Sequence, residues 1–235
     1  TMPKKYIDLS LPEGFSNQVR LFPLSNTVLF PGVVQALHVF EPRYQKMAED
    51  SLAGDQLITM ALARQELEEK SNGDPQIAKV VCISKILSSN KMDDGKYNLF
   101  IIGVKRATVI EEFELELPYR TARVQVHHED LSLSAGSSGL RTELLATFEA
   151  LGQLNSAWNV SAMKQFKDAS LPLARVVDMI CYASGIAPDG QQRVLGTFDL
   201  AQRCQLVLEL LQQRLHLTKQ MQDSGPKFPP DFSMN

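Results

Sequence analysis

Between residues 19 and 128 the chain is a series of short runs in which apolar and β-branched residues recur at the period of a strand. VRLFPL at 19–24 and TVLFPG at 27–32 are two such runs, broken by Ser25-Asn26 and by Pro31-Gly32, residue pairs that punctuate strands. In VVQALHVF at 33–40, Val34, Ala36, His38 and Phe40 fall on one face, and Val33, Gln35, Leu37 and Val39 on the other. Both faces are largely apolar, which predicts a strand of a closed or covered sheet. Further strands are predicted in QLITMALA at 56–63, IAKVVCISKIL at 77–87, YNLFIIGVKRATVIEEFEL at 97–115 and YRTARVQVHH at 119–128. Asp94-Gly95 marks a tight turn, because Gly supplies the positive φ that a hairpin needs. Gly103 interrupts a long strand and predicts a bend or bulge. The polar stretch 64–75 reads as an exposed loop.

One helix interrupts the strands. Pro42 suits its first turn, Tyr44, Met47, Ala48 and Leu52 form an apolar stripe, and Gly54 suits a left-handed cap. After SLSAGSSG at 132–139, a flexible connector by composition, the period becomes helical. LRTELLATFEALGQL at 140–154 is one predicted helix. LPLARVVDMICYAS at 171–184 is another, capped by Ser170 and ended by Gly185. The last starts at Asp199, a good N-cap, and carries the stripe Leu200, Cys204, Val207, Leu208, Leu211 and Leu215. Strands segregated from helices define an α+β class rather than a βαβ sheet.

The charge balance narrows the function. A net charge of -3 and a pI near 5.8 give no basic excess for phosphate neutralisation, so no nucleic-acid partner is expected. No window approaches the roughly 18 to 20 apolar residues that span a bilayer, and no signal peptide is visible. Cys82, Cys181 and Cys204 are far apart and lie in apolar runs, which fits small core residues in a reducing compartment. The expectation is a cytoplasmic protein without membrane contact.

The segment LFPLSNTVLFPGVVQALHVFEPRYQKMAED at 21–50 resembles the opening of the Lon protease N-terminal domain family. There a Pro-Leu pair (Pro23-Leu24) precedes a strand ending in Phe-Pro-Gly (Phe30-Pro31-Gly32), and a strand then leads into Glu-Pro-Arg-Tyr at a helix start (Glu41-Pro42-Arg43-Tyr44). The hairpin segment at 94–109, with Gly103 and Arg106, is similar to the family's, as is the strand segment at 117–126. The segment at 193–215, with Asp199 and Arg203, resembles its helical end. The resemblance spans roughly residues 18–217. It implies a PUA-like β-barrel subdomain followed by a helical bundle. The expected organisation is an extension at 1–17, the barrel with one helix at 18–130, a linker at 131–139, the bundle at 140–222 and a disordered tail at 223–235. Most of the motif residues read as structural: Pro31-Gly32 turns the chain, and Glu41 favours a helix start.

The resemblance also implies a substrate-recognition module that binds unfolded or extended polypeptide, or an adaptor that docks on a separate protease. PUA-like folds also admit a small-molecule or RNA binder, which the acidic balance disfavours. No residues carry the ATPase or peptidase chemistry of a whole Lon protease. GIAPDGQQ at 185–192 has the glycine spacing of a phosphate loop, but Gln191 stands where Lys is required; it reads as a helix-ending loop. Ser84-Lys85 and Ser170 near Lys167 offer Ser-Lys residue types without evident geometry. His127-His128-Glu129-Asp130 is the one metal-like cluster, yet neighbours on a strand point to opposite faces. No cofactor, metal site or catalytic residue is expected. Trp158, Met163 and Phe166 read as core, with an apolar contact patch for an unfolded segment as the alternative.

Overall fold

The computed structural model describes residues 9–64, 75–114, 116–129, 137–154, 166–168 and 170–223. Among the described residues seven strands come first: β1 (Gln18–Leu24), β2 (Val34–Val39), β3 (Leu57–Arg64), β4 (Gln76–Ile77), β5 (Val80–Lys91), β6 (Tyr97–Phe113) and β7 (Thr121–Val126). One helix, α1 (Pro42–Ala53), lies between β2 and β3. The helices α2 (Ser137–Gln153), α3 (Leu173–Ala183), α4 (Pro188–Leu195) and α5 (Leu200–Asp223) follow. The α+β reading holds.

The sheet runs β1-β7-β6-β5-β3-β4, and β1 also pairs with β3 in parallel, Leu21 opposite Thr59 and Leu24 opposite Leu62. Five strands therefore pair in a closed circuit. All five contribute to one apolar cluster that includes Leu21, Leu57, Ile83, Ala107 and Val124. On alternate positions, Phe22, Met60, Cys82 and Ile101 enter a larger core, as the period-two pleat requires. That larger core continues without interruption into Phe148 of α2, Val176 and Ile180 of α3 and Val207 and Leu211 of α5. Sheet and helices thus share one interior.

Several local expectations change. TVLFPG forms no ladder before the single bridge at Pro31, although Val28, Leu29 and Phe30 are fully buried. Burial, not pairing, accounts for its apolar character. Gly54 caps α1 without a left-handed φ (-116°), and the positive φ falls on Gln56 instead. The helix α2 begins at Ser137, inside the stretch expected to link two subdomains. The N-cap position of α3 is Pro172 rather than Ser170. GIAPDGQQ does not end as a loop: Pro188 starts α4, whose Gln192 Nε2 donates to Val80 O at 2.8 Å. Asp199 does cap α5, its Oδ1 accepting the Gln202 amide at 2.8 Å.

Candidate functional site

The Phe-Pro-Gly motif is held by the β6 bulge. Ser84 pairs with Gly103 and Ile83 with Lys105, so Val104 is the extra residue. The bulge turns the Gly103 peptide toward the loop before β2. Gly32 N donates to Gly103 O at 2.8 Å, and Gly103 N donates to Val33 O at 2.9 Å. A Cβ on Gly103 would stand 2.1 Å from Phe30 O, so only glycine permits this approach. Gly32 has φ +85°, and a Cβ there would meet Arg175 Cδ at 3.1 Å.

Three residues past Gly103, Arg106 points into the seam between sheet and helices and is 3% exposed. Its Nη2 donates to Asp178 Oδ1 of α3 at 2.5 Å, its Nη1 to Glu129 Oε1 at 3.1 Å and its Nε to Leu195 O at 3.1 Å. Its guanidinium carbon lies 6.0 Å from the Phe30 ring centroid. Arg203 of α5, 1% exposed, donates from Nη2 to Glu129 Oε1 and lies 3.5 Å from Asp178 Oδ1 through Nε. Arg175 of α3 stands 3.6 Å from Glu129 Oε2. Burial would raise the Glu129 carboxyl, but Arg106, Arg203 and Arg175 outweigh it and hold its pKa below the ordinary carboxylate value. Burial likewise works against the Arg106 charge, and Asp178 with Glu129 reverses the effect, raising its pKa.

This cluster borders a cavity of about 60 Å³ lined by Pro31, Arg106, His127, Glu129, Arg175, Phe198 and Arg203 among others. His127 stacks on Phe198 with centroids 3.8 Å apart, and its Nε2 is 2.7 Å from Thr108 Oγ1. His128 is exposed beside it.

A second feature is an uncovered sheet face. The sequence pattern of β2 predicts cover on both sides, yet Val34, Ala36 and His38 point outward to solvent. Opposite Ala36 stands Phe100, which is 52% exposed; Phe40, just beyond β2, is 59% exposed and Val34 47%. Ser88 flanks Phe100 on the other side, next to Leu87 at the β5 bulge, also exposed. Among the described residues β2 pairs with β6 and with no other strand. Among the described residues its second edge is therefore without a strand partner, beside an apolar surface.

The motif residues divide between these features. Phe30, Pro31, Gly32, Gly103 and Arg106 converge on the charged seam. Glu41-Pro42-Arg43-Tyr44 starts α1 near Phe40: Arg43 Nε bonds Glu41 Oε2 at 3.0 Å, its guanidinium sits over the Tyr44 ring, and Tyr44 is edge-on to Phe22 at 4.6 Å. Pro23 and Leu24 end β1 against Ala61 and Leu62. Phe166 is buried, edge-on to Phe148 at 5.1 Å, so it cannot serve as a surface contact; its place is the core. Trp158 and Met163 lie outside the described residues. Sequence reasoning missed Asp178 and Arg175, and read Glu129 only as part of the metal-like His127-His128-Glu129-Asp130 cluster. A charged residue inside the apolar run of α3 was the available signal.

The remaining reactive types are committed elsewhere. Ser84 Oγ is buried and donates to Ile58 O at 2.6 Å, while Ser170 Oγ donates to Asp168 and Lys167 pairs with Glu149 at 2.6 Å. The three cysteines are free and buried. Burial pushes the Cys82 thiol up to about 12 and the Cys204 thiol to about 11, and raises Cys181 as well. Thiols so raised are poor nucleophiles.

Solved structures that match the fold of this chain include two Lon N-terminal domains. The N-terminal domain of the Mycobacterium avium complex Lon protease aligns with a TM-score of 0.64 at 17% identity, over 83% of this chain and 98% of that one. The Lon N-terminal domain protein from Xanthomonas campestris aligns at 0.61 and 19%, over 82% and 97%. The profile of the ATP-dependent protease La (LON) substrate-binding domain matches residues 18–213, and the chain belongs to that family. Curated relatives include the Lon protease of Dictyoglomus thermophilum, 26% identical over 210 residues, and Lon protease 2 of Myxococcus xanthus, 28% over 212. These matches cover 89% and 88% of this chain but 26% and 25% of the relatives, so the chain spans about a quarter of their length.

Proposed function

We propose that this chain binds unfolded or extended polypeptide segments in proteolysis, without itself cleaving them, and that it grips them along β2. The observation that carries this reading is the open edge of β2 beside the exposed side chains of Val34, Phe40 and Phe100. An extended segment added to that edge would pair with β2, and its apolar side chains would lie over the outward face of Val34, Ala36 and His38, the longer ones reaching Phe100 across Ala36. The family's designation as a substrate-binding domain supports the same role. The three free, buried thiols fit action in a reducing compartment such as the cytoplasm. In a second use of the same face, a separate protease would dock there.

Hydrogen exchange tests the reading. Addition of a permanently unfolded protein such as reduced, carboxymethylated lactalbumin should protect the amides of 34–39 and leave those of α5 unchanged. Protection confined to the helices, or none at saturating concentration, would rule out the β2 edge. A protease that co-purifies at equal stoichiometry and blocks this protection would favour the docking use.

A further inference from the structure

Among the described residues the seam holds more positive than negative charge. Arg106, Arg175 and Arg203 are nine-tenths buried or more, and they face two carboxylates, Asp178 and Glu129. Both carboxylates are hydrogen-bonded by Arg106 or Arg203. Arg175 is left as the third cation: its Nη1 is buried and has no hydrogen-bond partner, its nearest carboxylate oxygen being Glu129 Oε2 at 3.6 Å. A guanidinium hydrogen kept from water without an acceptor carries the full cost of desolvation. Arg203 Nε and Asp178 Oδ2 are also buried without a hydrogen-bond partner; Arg203 lines the cavity together with Arg175, whereas Asp178 does not.

We propose that the cavity of about 60 Å³ bounded by Pro31, Arg106, Arg175 and Arg203 is a carboxylate-binding site. One carboxylate would neutralise the excess charge and accept the free Arg175 hydrogen. The planar fork of a guanidinium matches a carboxylate, and a charge-assisted bond in a buried site is among the stronger polar contacts. Gly32 sets the position of Arg175: its missing side chain leaves room for the Arg175 stem, which a Cβ would approach to 3.1 Å. Lys105 and the exposed His128 at the rim add no negative charge to oppose an incoming anion. Resting on the polypeptide-binding reading, the natural source is the C-terminal carboxylate of a bound chain, which every unfolded segment with a free C-terminus presents whatever its sequence.

Titration of the isotope-labelled protein with sodium acetate at constant ionic strength, followed at the Gly32 amide and the Arg175 Nε resonance, tests the site itself. Saturable shifts at both, lost in Arg175→Gln, are expected. Phosphate should shift them less than acetate. No shift with acetate, or a stronger response to phosphate, overturns the proposal. Arg175→Lys keeps the charge and loses the fork; it should fold and bind acetate about tenfold more weakly. The source is read with one extended apolar peptide as free acid and as C-terminal amide. The free acid should bind the wild type about tenfold more tightly or better, with no difference in Arg175→Gln. Equal binding with the acetate shifts intact assigns the site to small free acids instead. If neither peptide binds while acetate does, the polypeptide-binding reading fails and the carboxylate site stands.

Discussion

Arg106 of β6 and Asp178 of α3 meet at 2.5 Å in the buried seam, 72 positions apart in the chain. Their contact joins the strand half to the helical half, with Glu129 and Arg203 on the flanks. Removing one member of such a pair strands the other charge away from water. Arg106→Met should therefore lower stability by about 3–5 kcal/mol in urea unfolding. Arg106→Met with Asp178→Leu should recover a large part of that loss. Equal instability of the single and double variants would show that the pair is not the origin.

The glycines make a second contrast. Gly103→Ala forces a Cβ against the Phe30 carbonyl, where backbone on both sides leaves nothing to yield. It should cost roughly 3 kcal/mol or more, or prevent folding. Gly139, in the exposed first turns of α2, has nothing within 4 Å of a Cβ. Gly139→Ala should be neutral or stabilise by up to about 1 kcal/mol. Thermal melts of the two variants check both expectations.

Acid should weaken the fold in two stages. Burial and then Arg106 lower the His127 pKa from 6.5, so the unfolded chain binds that proton more readily than the folded one. Stability is full above 6.5 and begins to fall as pH drops below it. The Glu129 carboxyl is held below 4.5, so its contribution is present above that value and lost as pH falls through its lowered folded pKa. A plot of unfolding free energy against pH should show both losses, and His127→Gln should remove the upper one while retaining the lower.

Thiol titration reports on the core. Cys82, Cys181 and Cys204 are buried, with pKa values pushed above the ordinary thiol range. A disulfide reagent at pH 8 should label none of them rapidly in the native protein and all three in denaturant. Rapid native labelling would mean that the seam and bundle open far more often than the packing implies.

Much of this structure is legible in the residues, where local rules and global packing agree. The alternation in 121–126 and 97–113 gave strands, Gly103 gave the bulge, and Asp199 gave the start of α5. The failures have physical causes. Residues 27–30 look like a strand because the core needs Val28, Leu29 and Phe30, though among the described residues no partner strand is beside them. The outward face of β2 looks covered because apolar pattern reports affinity for cover, whoever supplies it. Pro188 and Gly190 disguised α4 as a loop, although proline at a first helical position is favourable. The charged seam was half visible: Arg106 and Arg203 stood in the family pattern, but Asp178, Glu129 and Arg175 reach them only through tertiary packing.

The polypeptide-binding role is tested most directly by fluorescence anisotropy with a labelled, permanently unfolded protein, comparing the wild type with Phe100→Asp. Phe100 is half exposed and its ring faces solvent, so the substitution should leave the melting temperature within a few degrees. Saturable binding by the wild type, weakened at least about tenfold in Phe100→Asp, is the predicted result. Undiminished binding by a folded Phe100→Asp would contradict the account.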